Sequence, residues 1–278
     1  MIDLKLAVVG KDVSKSVSPR MHTFIAKKLG KKIIYDRVSV CEQEFEESVG
    51  KLISEYDGLN VTIPYKLSII PHLEKIEGDA QVFGAVNTVN CKSLTGNNTD
   101  GLGFMLMLKN GGIEVEGKTF LLLGGGGAGR SCAKKLAEGG AKVFVYDKNF
   151  DSAKKIQNEF SGVTALDALT AQPYYAIINA TGVGMHDTVG KSPVAEDIIS
   201  QTQVAIDLIY NPAKSQFLCN AEKLGKKIIN GKAMLFYQAY FAECIFFDIQ
   251  PDQAQAEQFF KEYDGIVRIG VLKRTDKI

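Results

Sequence analysis

The sequence predicts an α/β protein of two domains, and three observations predict it. Short apolar runs alternate with segments of helical period along most of the 278 residues, the pattern of parallel strands joined by crossover helices. A glycine-dense stretch at 124–129 sits between one such run and one such helix. The length allows one large domain or two small ones at ~100–200 residues per domain.

In chain order, residues 6–9 read as a strand, 19–29 as a helix, 33–38 as a strand, 42–54 as a helix, 58–63 as a strand and 86–91 as a strand. A second series follows: strand 120–123, helix 130–138, then strands 143–146, 176–179 and 204–208. The apolar run 233–247 is broken by Gln238 and Glu243 and is shorter than the ~20 residues of a membrane span. It reads as a core-facing helix. The turn cluster 97–101 marks a break at Asp100, which is placed to cap the following helix. A second break falls near Gly231. The expected domains are therefore 1–100 with 232–278, and 101–231, with a cleft between them.

Composition excludes several function classes. An apolar share of 45% and a charged share of 23% exclude a disordered chain. Thirty-three basic against 32 acidic residues leave a net charge of +1, which gives no electrostatic ground for a nucleic-acid or membrane partner. Five cysteines without a C-x-x-C pair predict reduced thiols, no metal site and a cytoplasmic setting. Residues 1–5 read as the start of the first strand and not as a signal peptide.

The glycines satisfy G-x-G-x-x-G through Gly124, Gly126 and Gly129, with Gly127 and Ala128 between. Alone that pattern is weak. Here it follows a strand, opens a helix and is followed, roughly 20 residues on, by Asp147 at the end of the next strand. This context predicts a Rossmann-type dinucleotide site. The glycines permit a tight turn and bring the backbone to a pyrophosphate at a helix N-terminus. A carboxylate at Asp147 accepts from the ribose 2′-hydroxyl of NAD and repels the 2′-phosphate of NADP. Lys148 is placed to offset that repulsion in part, although an exposed helix face is the favoured reading of this lysine.

In the first domain, Asn60 and Thr62 are two apart and share a strand face. Pro64 stops that strand and Lys66 follows in the turn, at the edge where ligands of α/β sheets bind. Ser16 and Ser18 precede a helix with Pro19 in its first turn, an arrangement suited to a carboxylate, although on these residues alone a simple cap is the favoured reading. Asn87 and Asp100 are further polar groups at element ends. His22 and His72 read as isolated structural or surface residues.

The segments Ser16-Val17-Ser18-Pro19, Asn60-Val61-Thr62-Ile63-Pro64-Tyr65-Lys66, Ala85-Val86-Asn87-Thr88, Asn98-Thr99-Asp100-Gly101, the glycine loop, Asn179-Ala180-Thr181-Gly182, Tyr210-Asn211-Pro212 and residues 234–238 occur in this order. Together they resemble the shikimate dehydrogenase family, which includes quinate/shikimate dehydrogenases, up to about residue 255. The resemblance implies an N-terminal substrate domain, a dinucleotide domain, and reversible NAD(P)H-dependent reduction of 3-dehydroshikimate to shikimate in aromatic amino-acid biosynthesis. It implies Lys66 and Asp100 as the catalytic pair and Ser16 and Ser18 as carboxylate ligands. Asn60, Thr62, Asn87, Tyr210 and Gln238 become further substrate residues, and Thr181 and Gly231 join the cofactor residues. The expected partner is a small-molecule substrate, and the expected assembly a monomer or homodimer.

Physical chemistry supports the pairing. Hydride addition to a ketone builds alkoxide character, which a neighbouring cation stabilises and a proton donor quenches. A lysine has an ordinary pKa of ~10.4 and is cationic at neutral pH, so alcohol oxidation is expected to quicken at alkaline pH. Two departures from the family stand out. Its NADP-dependent members carry Asn-Arg-Ser/Thr after the second strand of the dinucleotide domain, whereas this chain has Asp147-Lys148-Asn149, and Ser152 stands where a second basic residue is expected. NAD, or dual use, is therefore expected over the family's usual NADP. The other departure is the tail 263–278, in which 267–271 alternates like a strand. The alternatives are a quinate-preferring enzyme with NAD, a non-catalytic nucleotide sensor of the same fold, and an amino-acid or folate-pathway dehydrogenase. The last would leave the paired serines unexplained.

Overall fold

The computed structural model describes residues 2–268. Contacts divide the chain into two compact units: one of residues up to Gly103 with those from Phe236 onward, the other Phe104–Leu235.

The first unit is built on a six-stranded sheet in the order β2-β1-β3-β5-β6-β4. Its strands are β1 (Leu4–Gly10), β2 (Ile33–Ser39), β3 (Gly58–Val61), β4 (Lys75–Ile76), β5 (Thr88–Asn90) and β6 (Thr95–Asn97). Side chains alternate across β1. Ala7 and Val9 pack with Leu59, Val61 and the α2 (Phe45–Glu55) residues Phe45, Val49 and Leu52 on one face. Leu4, Leu6 and Val8 pack with Tyr35, Ala242 and Phe246 on the other. That second face is covered by α1 (Ser18–Lys28) and α9 (Lys232–Phe247). As expected, 233–247 forms a helix buried on nearly every side. No helix among the described residues is long and apolar enough to cross a membrane.

The expected all-parallel arrangement holds for β2-β1-β3 but not throughout. β3 pairs antiparallel with β5, and β5 with β6. For β5 and β6 the reason is chain length: four residues join them, whereas a parallel crossover needs a dozen or more. Asn90 makes that turn by accepting from the backbone N–H of Lys92 and Ser93. A short helix, α3 (Asp79–Phe83), precedes β5.

The second unit is fully parallel, with strand order β12-β11-β10-β7-β8-β9. Its strands are β7 (Thr119–Leu123), β8 (Lys142–Tyr146), β9 (Val163–Leu166), β10 (Tyr174–Asn179), β11 (Thr202–Asp207) and β12 (Lys227–Asn230). Numbered within the unit, the order is 3-2-1-4-5-6, the doubly wound dinucleotide-binding topology. Helices α4 (Asp100–Asn110), α5 (Gly127–Glu138), α6 (Phe150–Glu159), α7 (Glu196–Ser200) and α8 (Gln216–Lys223) alternate with these strands. α7 and α8 supply Ile198, Ile199, Phe217 and Leu218 to the core beside Leu121, Leu123 and Ile177.

Three further expectations change. The segment 42–54 begins as a 3-10 turn at Glu42–Glu44 and becomes α-helical at Phe45. Val267 and Arg268 belong to a helix, α10 (Gln253–Arg268), and not to a strand; residues 269–271 of the expected tail strand lie outside the described residues. His22 is 1% exposed, with Nδ1 2.6 Å from Glu243 Oε1 and its ring stacked on Tyr35 at 4.4 Å. It is a core residue paired across 221 positions of sequence.

Candidate active site

β3 ends at Val61, and the turn after it carries Lys66. Thr62 follows the strand half-buried, and its methyl group occupies space that a Cβ at Gly10 would enter at 2.5 Å. Glycine at position 10 therefore admits Thr62. Lys66 Nζ donates to Asp100 Oδ2 at 2.5 Å. Asp100 is the first residue of α4, not its cap: the Thr99 carbonyl accepts from the Gly103 N–H. Its own N–H donates to Asn98 Oδ1 at 3.0 Å. The carboxylate is thus free of capping duty, and Asn87 Nδ2 donates to its second oxygen at 2.9 Å. A cation, a carboxylate and an amide meet in one cluster, with Lys66 and Asp100 side chains 28% and 19% exposed. That exposure leaves the ammonium both anchored and reachable.

Ser16 and Ser18 flank Val17, the residue before α1, and Pro19 lies in the first turn. Ser16 Oγ donates to Ser18 Oγ at 3.0 Å and accepts from the Ser18 N–H at 3.2 Å. Arg37 Nε donates to the Ser16 carbonyl at 2.8 Å, a support that the sequence did not signal because Arg37 lies on β2. Asn60 is buried; Nδ2 donates to the Asn87 carbonyl and to Thr88 Oγ1, and Oδ1 accepts from Tyr35 while keeping a second acceptor position. Gln238 is half-buried on α9.

In the second unit the glycine loop leaves β7 and enters α5. Gly124 has φ +102°, and a Cβ on Gly129 would lie 1.9 Å from the Gly124 carbonyl oxygen, so position 129 accepts no side chain while the turn keeps its shape. Gly126 and Gly127 face open space, and the α5 N-terminus has no side-chain cap. Such an end offers backbone donors and a positive dipole end to a phosphate. Gly129→Ala is expected to cost about 1–3 kcal/mol of stability by overpacking and to weaken dinucleotide binding, read by fluorescence titration. Unchanged affinity would refute the loop's role.

Asp147 directly follows β8. Its Oδ2 accepts from the Gly125 N–H at 2.6 Å and its Oδ1 from the Asn149 N–H at 2.8 Å. Lys148 is exposed, and Ser152 packs where a Cβ on Gly125 would reach it at 3.0 Å. Thr181 follows β10, the other strand of the switch point, where Asn179 Oδ1 accepts from its N–H and hydroxyl at 3.0 and 2.6 Å. Gly231 is required by close packing, since a Cβ there would stand 1.9 Å from the Leu208 carbonyl oxygen. Tyr210 follows β11 and is 42% exposed. A buried cluster that the sequence did not signal stands beside it. Asp207 accepts from Asn179 Nδ2, the Ile209 N–H and Ser215 Oγ, and it fixes the loops that follow β10 and β11. No group of side chains among the described residues forms a metal-binding cluster.

The family model for the shikimate dehydrogenase substrate binding domain matches residues 8–89. The shikimate dehydrogenase (NADP(+)) of Carboxydothermus hydrogenoformans is 34% identical over 247 residues, spanning 84% of this chain and 88% of that protein. A crystal structure of shikimate 5-dehydrogenase from Thermus thermophilus in complex with NADP(H) and shikimate matches with a TM-score of 0.84 at 32% identity, covering 94% of this chain and 99% of that one. Another, from Listeria monocytogenes in complex with shikimate and NAD, matches with a TM-score of 0.80 at 26% identity, covering 91% and 95%. A third of the residues shared along more than four-fifths of both sequences, on one fold, places this chain in the shikimate dehydrogenase family.

Proposed function

We propose that this protein catalyses the reversible NAD(P)H-dependent reduction of 3-dehydroshikimate to shikimate, as an oxidoreductase of aromatic amino-acid biosynthesis. The observation that carries the reading is the Lys66–Asp100 contact of 2.5 Å beside Asn87. When bound, the nicotinamide supplies the hydride. Lys66 stabilises the developing alkoxide and gives it a proton. Asp100 and Asn87 hold the ammonium group in place, and in the oxidation direction Lys66 takes the proton back. Ser16 and Ser18 offer hydroxyl donors to the substrate carboxylate. Thr62, Asn60, Gln238 and Tyr210 complete the substrate contacts. The unit containing β1–β6 is assigned to the substrate, and Phe104–Leu235 to the dinucleotide. Five free cysteines suit a reducing cytoplasm.

For the cofactor, the uncapped α5 end and the open glycines suit the pyrophosphate of either dinucleotide. Asp147 favours NAD or dual use: its fixed carboxylate repels a 2′-phosphate, Lys148 beside it offsets that only in part, and Ser152 stands where a second cation is expected. The test is reduced-nicotinamide absorbance with shikimate at mildly alkaline pH, with NAD and NADP in parallel and quinate as a second substrate. Turnover of shikimate with NAD is expected. Turnover with NADP alone would overturn the Asp147 reading, and faster turnover of quinate would overturn the substrate. No turnover in protein that binds cofactor would favour a sensor.

A further inference from the structure

The catalytic pair belongs to a hydrogen-bonded chain that runs through Asn87, Thr88 and Asn60 to Tyr35 and whose donors and acceptors can be followed link by link. The starting point is the backbone N–H of Thr99, which must meet an oxygen and lies 2.9 Å from Asn87 Oδ1. Asn87 Nδ2 therefore faces Asp100. Thr88 Oγ1 lies 2.8 Å from that same Oδ1 and so must donate to it. With its proton committed, Thr88 Oγ1 is an acceptor for Asn60, whose Nδ2 lies 3.3 Å away and also 3.3 Å from the Asn87 carbonyl. Asn60 Oδ1 must then face Tyr35, whose hydroxyl donates to it at 2.7 Å. The Tyr35 hydroxyl is the far end of this chain.

Two members of this chain, Tyr35 and Thr88, belong to none of the proposed catalytic or binding contacts. Thr88 is fully buried and Tyr35 is 8% exposed. Burial raises the Tyr35 hydroxyl well above its ordinary range, and the nearby Glu243 adds to this, so the group stays a donor at neutral pH. Its ring is held flat against His22. We propose that Tyr35 and Thr88 are positioning residues that fix which face of Asn60 and Asn87 is donor and which is acceptor, and so orient the substrate pocket and the Lys66–Asp100 pair. This rests on the assignment of that pair as catalytic. The reason such positioning is needed is that a side-chain amide has two nearly isosteric orientations with opposite hydrogen-bonding character. A buried amide is held to one of them only by its partners.

The experiment compares Thr88→Val, Thr88→Ser and Tyr35→Phe with the wild-type protein. In the wild type, the side-chain amide resonances of Asn60 and Asn87 are expected to be dispersed and protected from exchange. In Thr88→Val and Tyr35→Phe they lose that protection. In the same variants kcat/KM for shikimate falls about 10–100-fold. For Thr88→Val the loss is mainly in kcat, because Asn87 and Asp100 loosen. For Tyr35→Phe it is mainly in KM, through Asn60. Thr88→Ser, which restores the hydroxyl, stays within about threefold of wild type. Tyr35→Phe carries the test if Thr88→Val does not fold. Variants that keep protected amide resonances and kcat/KM within about twofold would overturn the proposal; so would a Thr88→Ser as impaired as Thr88→Val. A wild type that does not turn over shikimate defeats the functional reading instead, and the amide resonances still decide the positioning claim.

Discussion

Lys66→Ala is expected to lower kcat for shikimate oxidation by about 10²–10⁴-fold, the usual contribution of a positioned general acid or base, while dinucleotide affinity stays within about twofold of wild type. The reasoning is local. Nζ is the proton-bearing group of the cluster, and Asp100 Oδ2 holds it at 2.5 Å. Lys66→Arg should not rescue activity, because a guanidinium keeps its proton and cannot act as a base. Asp100→Asn should be milder in binding than in turnover, since it leaves Lys66 without an anionic anchor. Steady-state kinetics from mildly acid to alkaline pH, with cofactor titration as control, measure all of this. Near-normal turnover of Lys66→Ala with intact cofactor binding would remove the lysine from the mechanism.

The second large effect concerns stability. His22 and Glu243 are 1% and 0% exposed, and Glu243 Oε2 has no hydrogen-bond partner among the described residues. His22→Leu leaves a carboxyl buried without its counter-group, a loss of about 3–5 kcal/mol from a total that is typically about 5–15 kcal/mol. The double change His22→Leu with Glu243→Leu should recover most of that loss, because replacing both members with apolar side chains removes the buried polar groups together. The pH dependence has a definite sign. Burial raises the Glu243 pKa above its ordinary 4.5, and His22 opposes that rise. An acid with a raised folded-state pKa lends its stability below the unfolded value and loses it as pH climbs through the folded value. With His22 gone the carboxyl moves higher still, so the deficit of His22→Leu should deepen from pH 5 toward neutrality. Urea unfolding at both pH values reads the effect. A double variant as unstable as the single one would show that His22 acts by shape alone.

The parts legible in the sequence are those where chemistry and chain neighbourhood coincide. The glycine loop is visible because a turn that approaches a helix end tolerates no side chain at Gly129. Lys66 is visible because Pro64 stops β3 just before it. β5 falls within the expected strand 86–91, but β6, and with it the hairpin, escaped notice because a three-residue strand gives too short an alternation to register. β9 and β12 escaped for the same reason of brevity. His22 looked isolated because its partner is 221 residues away. Tyr35 and Asn60 meet only through the register of β2, β1 and β3, in which Leu6 lies opposite Tyr35 and Val8 opposite Asn60. No local pattern encodes that encounter.

The pairing of His22 with Glu243 also orders events in time. Chains emerge from the ribosome N-terminus first, and domains fold as units during synthesis. The first hundred residues emerge carrying an apolar sheet face and a histidine whose covering helix, α9, has not yet been made. Phe104–Leu235 follows as an uninterrupted run that contains its whole sheet. The later-made unit can therefore be complete while the earlier one still waits for its closing segment. During that interval the nascent protein exposes the core surface around Leu6, Val8 and Tyr35, and there a holding chaperone would find its binding site.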